Sequence, residues 1–213
     1  MNIIFEGIDG VGKTTIIDYL KKDLEKKKEL VRYIDELTQD SPISEILGKM
    51  LSEDPFFMLD KKFPTSIFES LLLAADMHYR QEKYKYNDGF NLYDRDFLSI
   101  LAYQKEILQQ DYNNYADFFN PFKDIVLFNL KQIDLLVYVY APIETSVSRV
   151  SARDNINFSE KQEQFLLSLK RSYEQDLIPK LEKQKVKVLK LDGSDTPSNN
   201  VSKIYREIGY GKN

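Results

Sequence analysis

The chain contains no cysteine. That absence excludes disulfides, a thiolate metal site and a cysteine nucleophile, and it suits a reducing compartment. No apolar run reaches membrane-spanning length and no secretory signal precedes the first apolar stretch, so no membrane partner and a cytoplasmic location are expected. A basic excess is also missing. The 30 Lys and Arg stand against 34 Asp and Glu, a net charge of −4. This balance argues against binding polymeric nucleic acid through bulk charge, and leaves room for a local basic site for phosphates. Without internal repeats or a linker-like stretch, the 213 residues read as a single domain, 1–213.

Against these absences stands one dense stretch. Gly7-Ile8-Asp9-Gly10-Val11-Gly12-Lys13-Thr14-Thr15 follows the apolar run Ile3-Ile4-Phe5 and leads into a helical pattern from Thr14 to about Lys27. Gly7, four residues, then Gly12-Lys13-Thr14 is the spacing of a phosphate loop. Glycines let successive backbone N–H groups turn onto an anion, and a helix starting near Lys13 points its positive end at the same place. Lys13 has the reach for the β- and γ-phosphates, and the Thr14 hydroxyl is of the type that ligates Mg²⁺. Gly7, Gly10, Val11, Gly12, Lys13, Thr14 and Thr15 are therefore the expected ATP-binding residues.

Around this loop, apolar runs alternate with helical patterns. Strands are expected at 2–6, 31–34, 90–93, 135–140 and 186–191. Helices are expected from Pro42 with Ser41 as cap, from Pro64-Thr65 to about Lys83, over 98–110, from Pro142 through Arg153, as one long helix over 160–183, and over 197–207. Residues 55–64 read as an aromatic and basic loop, and 111–132 as loop mixed with a helix ending near Lys131. Phe68, Leu71, Leu72 and Ala75 lie at helical spacing and are assigned to the core. The alternation predicts an α/β fold, a five-stranded parallel sheet with helices on both faces; with the chain length and the early phosphate loop it suggests a three-layer P-loop kinase fold, in which the region about 150–162 is the expected short lid.

Two further clusters carry chemistry. Asp94-Arg95 ends the third strand and so faces the same cleft as the loop. Asp94 is the expected acidic partner of Thr14 at Mg²⁺, and the planar fork of Arg95 can bridge two phosphates. Arg149 and Arg153 are four apart on one helix face, immediately before the polar stretch 154–159. Two guanidinium groups beside a lid suit the neutralisation of a transferring phosphoryl group.

The loop with its preceding Phe5-Glu6 resembles that of the thymidylate kinase family. So do Asp94-Arg95 followed by Ser99 and Ala102-Tyr103-Gln104, the stretch from Pro142 through Arg149 to Arg153, and Phe165 with Arg171 and Tyr173. These matches run in family order over most of the chain. The resemblance implies transfer of the ATP γ-phosphoryl group, with Mg²⁺, to the 5′-phosphate of a deoxynucleoside monophosphate, dTMP giving dTDP. It implies a catalytic set of Lys13, Asp9, Arg95 and Arg153. Asp9 would approach the acceptor's sugar 3′-hydroxyl and phosphate, Arg95 would hold that phosphate, and Tyr103 would lie under the sugar and disfavour a 2′-hydroxyl. Arg149 would lie near the ATP base and Ser194 would border the adenine. Val11 stands where some members carry an arginine, which shifts weight onto Arg153. A homodimer through the helices at 65–83 and 98–110 is implied as well.

The departures fall on the acceptor side. The family's Arg-Glu-Pro-Gly-Gly stretch after strand two is here Asp35-Glu36-Leu37-Thr38-Gln39, so Glu36 alone matches and an acid replaces an arginine. The family's base-stacking Phe falls on Leu73, and its base-binding Arg on Met77. His78 is another candidate base contact, and Phe56, Phe57, Phe63 and Phe68 are aromatics that could supply the stacking. The partners are therefore ATP and a deoxynucleotide or deoxynucleoside. In the second reading, a deoxynucleoside kinase, a carboxylate at Asp35-Glu36 is the base toward a 5′-hydroxyl. A third reading is an ATP-binding P-loop protein with a degenerate acceptor site. A guanine-specific Asn-Lys-x-Asp stretch is absent, which sets a GTPase aside.

Overall fold

The computed structural model describes residues 1–53, 66–84, 89–128 and 133–211. The loop at 55–64 with Phe56, Phe57 and Phe63, the helix start at Pro64-Thr65 and the helix end near Lys131 lie outside the described residues. Strands β1 (Asn2–Glu6), β2 (Val31–Ile34), β3 (Phe90–Asp94), β4 (Leu135–Tyr140) and β5 (Val188–Asp192) form one sheet in the order β2-β3-β1-β4-β5. Every pairing is parallel, as the three-layer α/β expectation requires. Helices α1 (Lys13–Lys26), α2 (Ser44–Glu53), α3 (Ser66–Lys83), α4 (Phe97–Asp111), α5 (Tyr115–Val126), α6 (Ile143–Asp154), α7 (Glu160–Arg171), α8 (Ile178–Lys183) and α9 (Pro197–Ile208) surround it.

The central strands explain why the sequence shows runs and not alternation. Ile3, Ile4 and Phe5 of β1 and Leu135 through Val139 of β4 are all buried, because helices cover both faces of a parallel sheet. Register sets the site. Phe5 pairs with Asp94 on one side and Val137 on the other, so Glu6, Asp94 and the start of the phosphate loop emerge together at the carboxyl end of the sheet. That edge is where open α/β sheets bind ligands. Among the described residues, no helix is long and apolar enough to cross a membrane.

Three expectations need correction. First, α2 begins at Ser44 and not at Pro42. The Ser44 N–H donates to the Ser41 carbonyl at 3.1 Å, closing a turn with Pro42 at its second position. Second, α3 turns most of its apolar stripe outward, and of the four expected core residues only Leu72 packs against the core. Leu71 is 47% exposed and Phe68 38%, and Ala75 is exposed, while Ser66, Glu69, Ser70, Asp76 and Arg80 are buried beside Ala74 and Met77. Periodicity finds the face of a helix but does not say which way it points. Here polar partners wait inside: Ser70 donates to Gln104 at 2.7 Å, Gln104 to Glu69 at 3.1 Å, and Thr38 to Asp76 at 3.1 Å. Third, the long helix of 160–183 is interrupted by a wide-turn π segment, Ser172–Leu177. Pro179, in the first turn of α8, has no N–H to give to the carbonyl four residues back, and its ring would clash there. The wider turn relieves this, and the Ile178 N–H reaches back five residues to the Tyr173 carbonyl. Phe165, Leu166, Leu169 and Tyr173 are buried as expected, with Leu177 half-buried. A smaller shift affects β5, which starts at Val188. The Val186 N–H is taken by the Leu181 carbonyl at the end of α8.

Candidate active site

The phosphate loop needs glycine for clearance. A Cβ on Gly7 would lie 2.2 Å from the Val139 carbonyl oxygen, and one on Gly10 2.3 Å from that of Ser146, with φ at +137 and +76. The loop thus lies flat against the end of β4 and the start of α6. Gly12 precedes α1 without any side-chain cap, which leaves the first N–H groups of α1 directed at the cleft. The Lys13 ammonium is buried and donates to the carbonyls of Gly7 at 2.9 Å and Ile8 at 3.0 Å. Burial lowers its pKa and repulsion from Arg95 adds to this, against the pull of Asp94 and Asp9. Thr14 Oγ1 donates to Asp94 Oδ2 at 2.9 Å, and the Tyr33 hydroxyl approaches the same oxygen at 3.3 Å.

Lys13, Thr14 and Asp94 line a cavity of about 400 Å³ with Asp9, Gly10, Gly12, Thr15, Asp35, Glu36, Arg95, Arg149 and Arg153. Arg149 ties the loop to the turn after β5, reaching the Gly10 carbonyl at 3.3 Å, that of Val11 at 3.4 Å and that of Gly193 at 3.2 Å. Arg153 lies at the rim, 63% exposed, its Nε and one terminal nitrogen each 2.7 Å from the carboxylate of Asp154. The Val11 side chain is buried beneath the loop, so only its backbone can meet a nucleotide. Ser194 is exposed one residue beyond Gly193 and its side chain does not line the cavity; its N–H donates to Asp192 at 2.8 Å.

Behind this cavity lies a second cluster of charged and polar groups. Arg95 has a left-handed backbone, φ 66, rare for a residue with a Cβ. Its guanidinium is buried and donates to Asp9 at 2.7 Å and to Ser99 at 3.2 Å, with Glu36 at 3.4 Å. The Tyr103 hydroxyl donates to the other Asp9 oxygen at 2.6 Å. Burial pushes the Asp9 carboxyl up, but Arg95, Lys13 and the Tyr103 hydrogen bond outweigh it and hold the group at about 2. For Glu36 the balance goes the other way. Burial raises its carboxyl and the charges of Asp9 and Asp94 add to the rise, against Arg95; water tempers this, since the side chain is 47% exposed. A second cavity of about 60 Å³ is walled by Leu37, Leu73, Ile100, Tyr103 and Gln104, with Asp9, Glu36 and Arg95 shared with the larger one.

The cleft therefore brings together Asp9, Lys13, Thr14, Glu36, Asp94, Arg95, Tyr103, Arg149 and Arg153, with Leu73 on the wall of the smaller cavity. It does not bring Met77, which is completely buried and away from either lining. His78 faces elsewhere, its Nε2 3.1 Å from the Ile125 carbonyl of α5. From α3 the group that does enter the cleft is Arg80, which sequence reading overlooked. It donates to the carbonyls of Asp35 and Glu36 and, at 3.2 Å, to Asp96, pinning the loop after β2 against the start of α4. The available signal was an arginine three residues beyond Met77, one turn along the same face. Tyr33 was missed too, and a lone tyrosine near a strand end carries no such signal.

The arrangement has a cavity edged by Lys13, Arg149 and Arg153 on one side, a smaller pocket on the other, and a guanidinium–carboxylate pair between them. The thymidylate kinase family profile matches residues 5–204. The probable thymidylate kinase of Methanobrevibacter smithii is 34% identical over 175 residues, covering 81% of this chain and 79% of that one. The thymidylate kinase of Campylobacter lari is 29% identical over 211 residues, covering 96% and 97%. Among solved structures, deoxyadenosine kinase from M. mycoides with bound dATP superposes with a TM-score of 0.64 at 21% identity, covering 98% of this chain and all of that one, a likeness of fold. With the family profile spanning nearly the whole chain and the cleft organised around the same motifs, the protein belongs to the thymidylate kinase family.

Proposed function

We propose that the protein transfers the γ-phosphoryl group of ATP to the 5′-phosphate of a deoxynucleoside monophosphate, dTMP giving dTDP. One observation carries this reading. Asp9 and Arg95 belong to both cavities, so a donor phosphate chain and an acceptor phosphate would meet over one guanidinium. The names of the M. smithii and C. lari relatives support dTMP as acceptor. In this mechanism Lys13 exchanges loop carbonyls for the β- and γ-phosphates, and Arg95 turns its fork to the acceptor phosphate. Asp9 stays ionised and accepts from the sugar 3′-hydroxyl. Tyr103 packs under the sugar where a 2′-hydroxyl would fall. Leu37, Leu73 and Ile100 flank the base, and Gln104 meets its polar edge. Arg153 leaves Asp154 for the transferring phosphoryl group as the lid closes and water is expelled.

Mg²⁺ fits the donor side. Thr14 Oγ1 and Asp94 Oδ2 are hard oxygens 2.9 Å apart on the cavity wall. Among the described residues no cluster of three or more His, Cys, Asp or Glu could hold a metal without the nucleotide. Bound with ATP, the ion would draw charge from the β- and γ-phosphate oxygens. The outward apolar face of α3, with Phe68 and Leu71, supports a homodimer, and the cysteine-free chain suits the cytoplasm.

The position of Glu36 favours a second reading. A carboxylate raised above its ordinary range and 3.4 Å from Arg95 could take the proton of a nucleoside 5′-hydroxyl. The solved deoxyadenosine kinases share the fold. One experiment separates the readings: incubation of the protein with ATP and Mg²⁺ against the four deoxynucleoside monophosphates and their nucleosides, following ADP. Fastest ADP release with dTMP supports the first reading. Release only with nucleosides moves the chemistry to Glu36. ATP binding without ADP from any acceptor marks a degenerate acceptor site.

A further inference from the structure

Behind Arg95 lies a buried polar cluster that takes no part in the mechanism above. Glu6 is the last residue of β1 and completely buried. Its Oε1 accepts three backbone N–H groups at the start of α4, from Asp96 at 3.0 Å, Leu98 at 3.1 Å and Ser99 at 3.3 Å. The formal cap of that helix, Asp96, makes no side-chain cap bond, since its carboxylate is spent on Arg80 and Gln81. Glu6 thus caps α4 from a neighbouring strand. In doing so it fixes both sides of Arg95, whose own N–H is held by the Phe5 carbonyl at 2.9 Å.

The second oxygen of Glu6 accepts the Ser99 hydroxyl at 2.6 Å. Ser99 Oγ in turn accepts from Arg95 at 3.2 Å and lies 2.9 Å from the Tyr173 hydroxyl, which is also 3.1 Å from Glu6. Tyr173 is the second residue of the π segment and is completely buried, its ring stacked on Tyr138 with centroids 5.5 Å apart. The helix just before it, α7, follows the lid and sets Phe165 edge-on to Tyr103 at 5.9 Å. One continuous stretch after the lid therefore supports both groups that flank Asp9.

We infer that Tyr173, acting with Glu6 through the Ser99 hydroxyl, is a positioning residue for Arg95, so that the stretch following the lid sets the orientation of the guanidinium between the two cavities. The π turn has a use here: it turns the Tyr173 hydroxyl onto Ser99 while α8 continues past Pro179. The functional consequence rests on Arg95 being the acceptor-phosphate residue. The geometric one does not.

The test uses Tyr173→Phe, which keeps the stacked ring and removes only the hydroxyl, with Ser99→Ala as a second approach to the same node. Each is made alone and in an Arg95→Lys background. With whichever acceptor the wild type turns over best, Tyr173→Phe should lower kcat on the order of tenfold, the weight of one buried hydrogen bond. It should leave the calorimetric Kd for ATP within about twofold, and the loss should vanish in Arg95→Lys. Unchanged kcat, or an equal loss in Arg95→Lys, would overturn the inference. A readout free of turnover covers the case in which no acceptor reacts. In protein labelled with ¹⁵N-arginine, the Arg95 Nε–H signal, identified by its loss in Arg95→Lys, should shift or broaden in Tyr173→Phe and Ser99→Ala. A signal unmoved in both variants would refute the positioning role, whatever becomes of the kinase reading.

Discussion

Asp9 and Glu36 share one arginine but differ in their response to acid. Asp9 is held at about 2, below its ordinary 3.8, so its contribution to stability is complete above about pH 4 and is lost as pH falls toward 2. At 24% side-chain exposure this amounts to about 2 kcal/mol. Urea unfolding of wild type and Asp9→Asn between pH 2 and 7 should therefore show the variant less stable at neutral pH and flatter on the acid limb; parallel curves would contradict the strong Asp9–Arg95 pairing. In the proposed reaction Lys13 and Arg153 act on the transferring group itself. Lys13→Ala and Arg153→Ala should each lower kcat by about a thousandfold or more, the scale of groups that stabilise phosphoryl-transfer charge. Full turnover of Arg153→Ala in an ADP-release assay would remove it from the lid role. At this scale much was legible, because Lys13, Thr14, Asp94 and Arg95 sit in short motifs whose spacing fixes their geometry. Arg80 and Glu6 were not, since their partners lie far along the chain, Glu6 being 93 residues from Ser99.

The start of α7 is a local device readable from four residues. Ser159 accepts the Gln162 N–H, and the Gln162 side chain returns to the Ser159 N–H at 2.9 Å. Ser159→Ala should lower the thermal midpoint by about 2–4 °C, the effect of about 1 kcal/mol in a chain of this size. Helix α3 is the contrary case. Of its pattern Phe68, Leu71, Leu72 and Ala75, Leu72 packs against the core as expected, and the other three face outward. The side facing the core carries Glu69, Ser70, Asp76 and Arg80, each hydrogen-bonded to a partner brought from another element, although Asp76 Oδ1 and Arg80 Nε keep none. The π segment is likewise beyond the reach of helical phase alone, which continues across it with Tyr173 still buried.

For the whole molecule, the outward apolar face of α3 leads to an oligomeric prediction. Placing a charge at its centre, Leu71→Glu, should convert a dimer to a monomer in sedimentation velocity at micromolar concentration while leaving the melting curve of the monomer intact. A wild type that sediments as a monomer would withdraw the interface. Assembly and fold are separable here because Leu71 is nearly half exposed in the single chain.

The sequence by itself determined the five parallel strands, the phosphate loop, and the meeting of that loop with Asp94-Arg95. These follow from local physics: apolar runs long enough for buried strands, glycines where a Cβ has no room, and a strand end that must open on the cleft. The tertiary structure alone decided what surrounds the smaller cavity. Only the packing of α3 against α4 withdraws Met77 from the cleft, brings Arg80 to the loop after β2, and leaves Leu73 and Gln104 around a small pocket. Only the closing of β1 onto the start of α4 makes Glu6 a cap and Tyr173 its neighbour. Those contacts join residues from 34 to 167 positions apart, where periodicity and motif spacing carry no information, and they are set by the requirement that every buried charge find a partner.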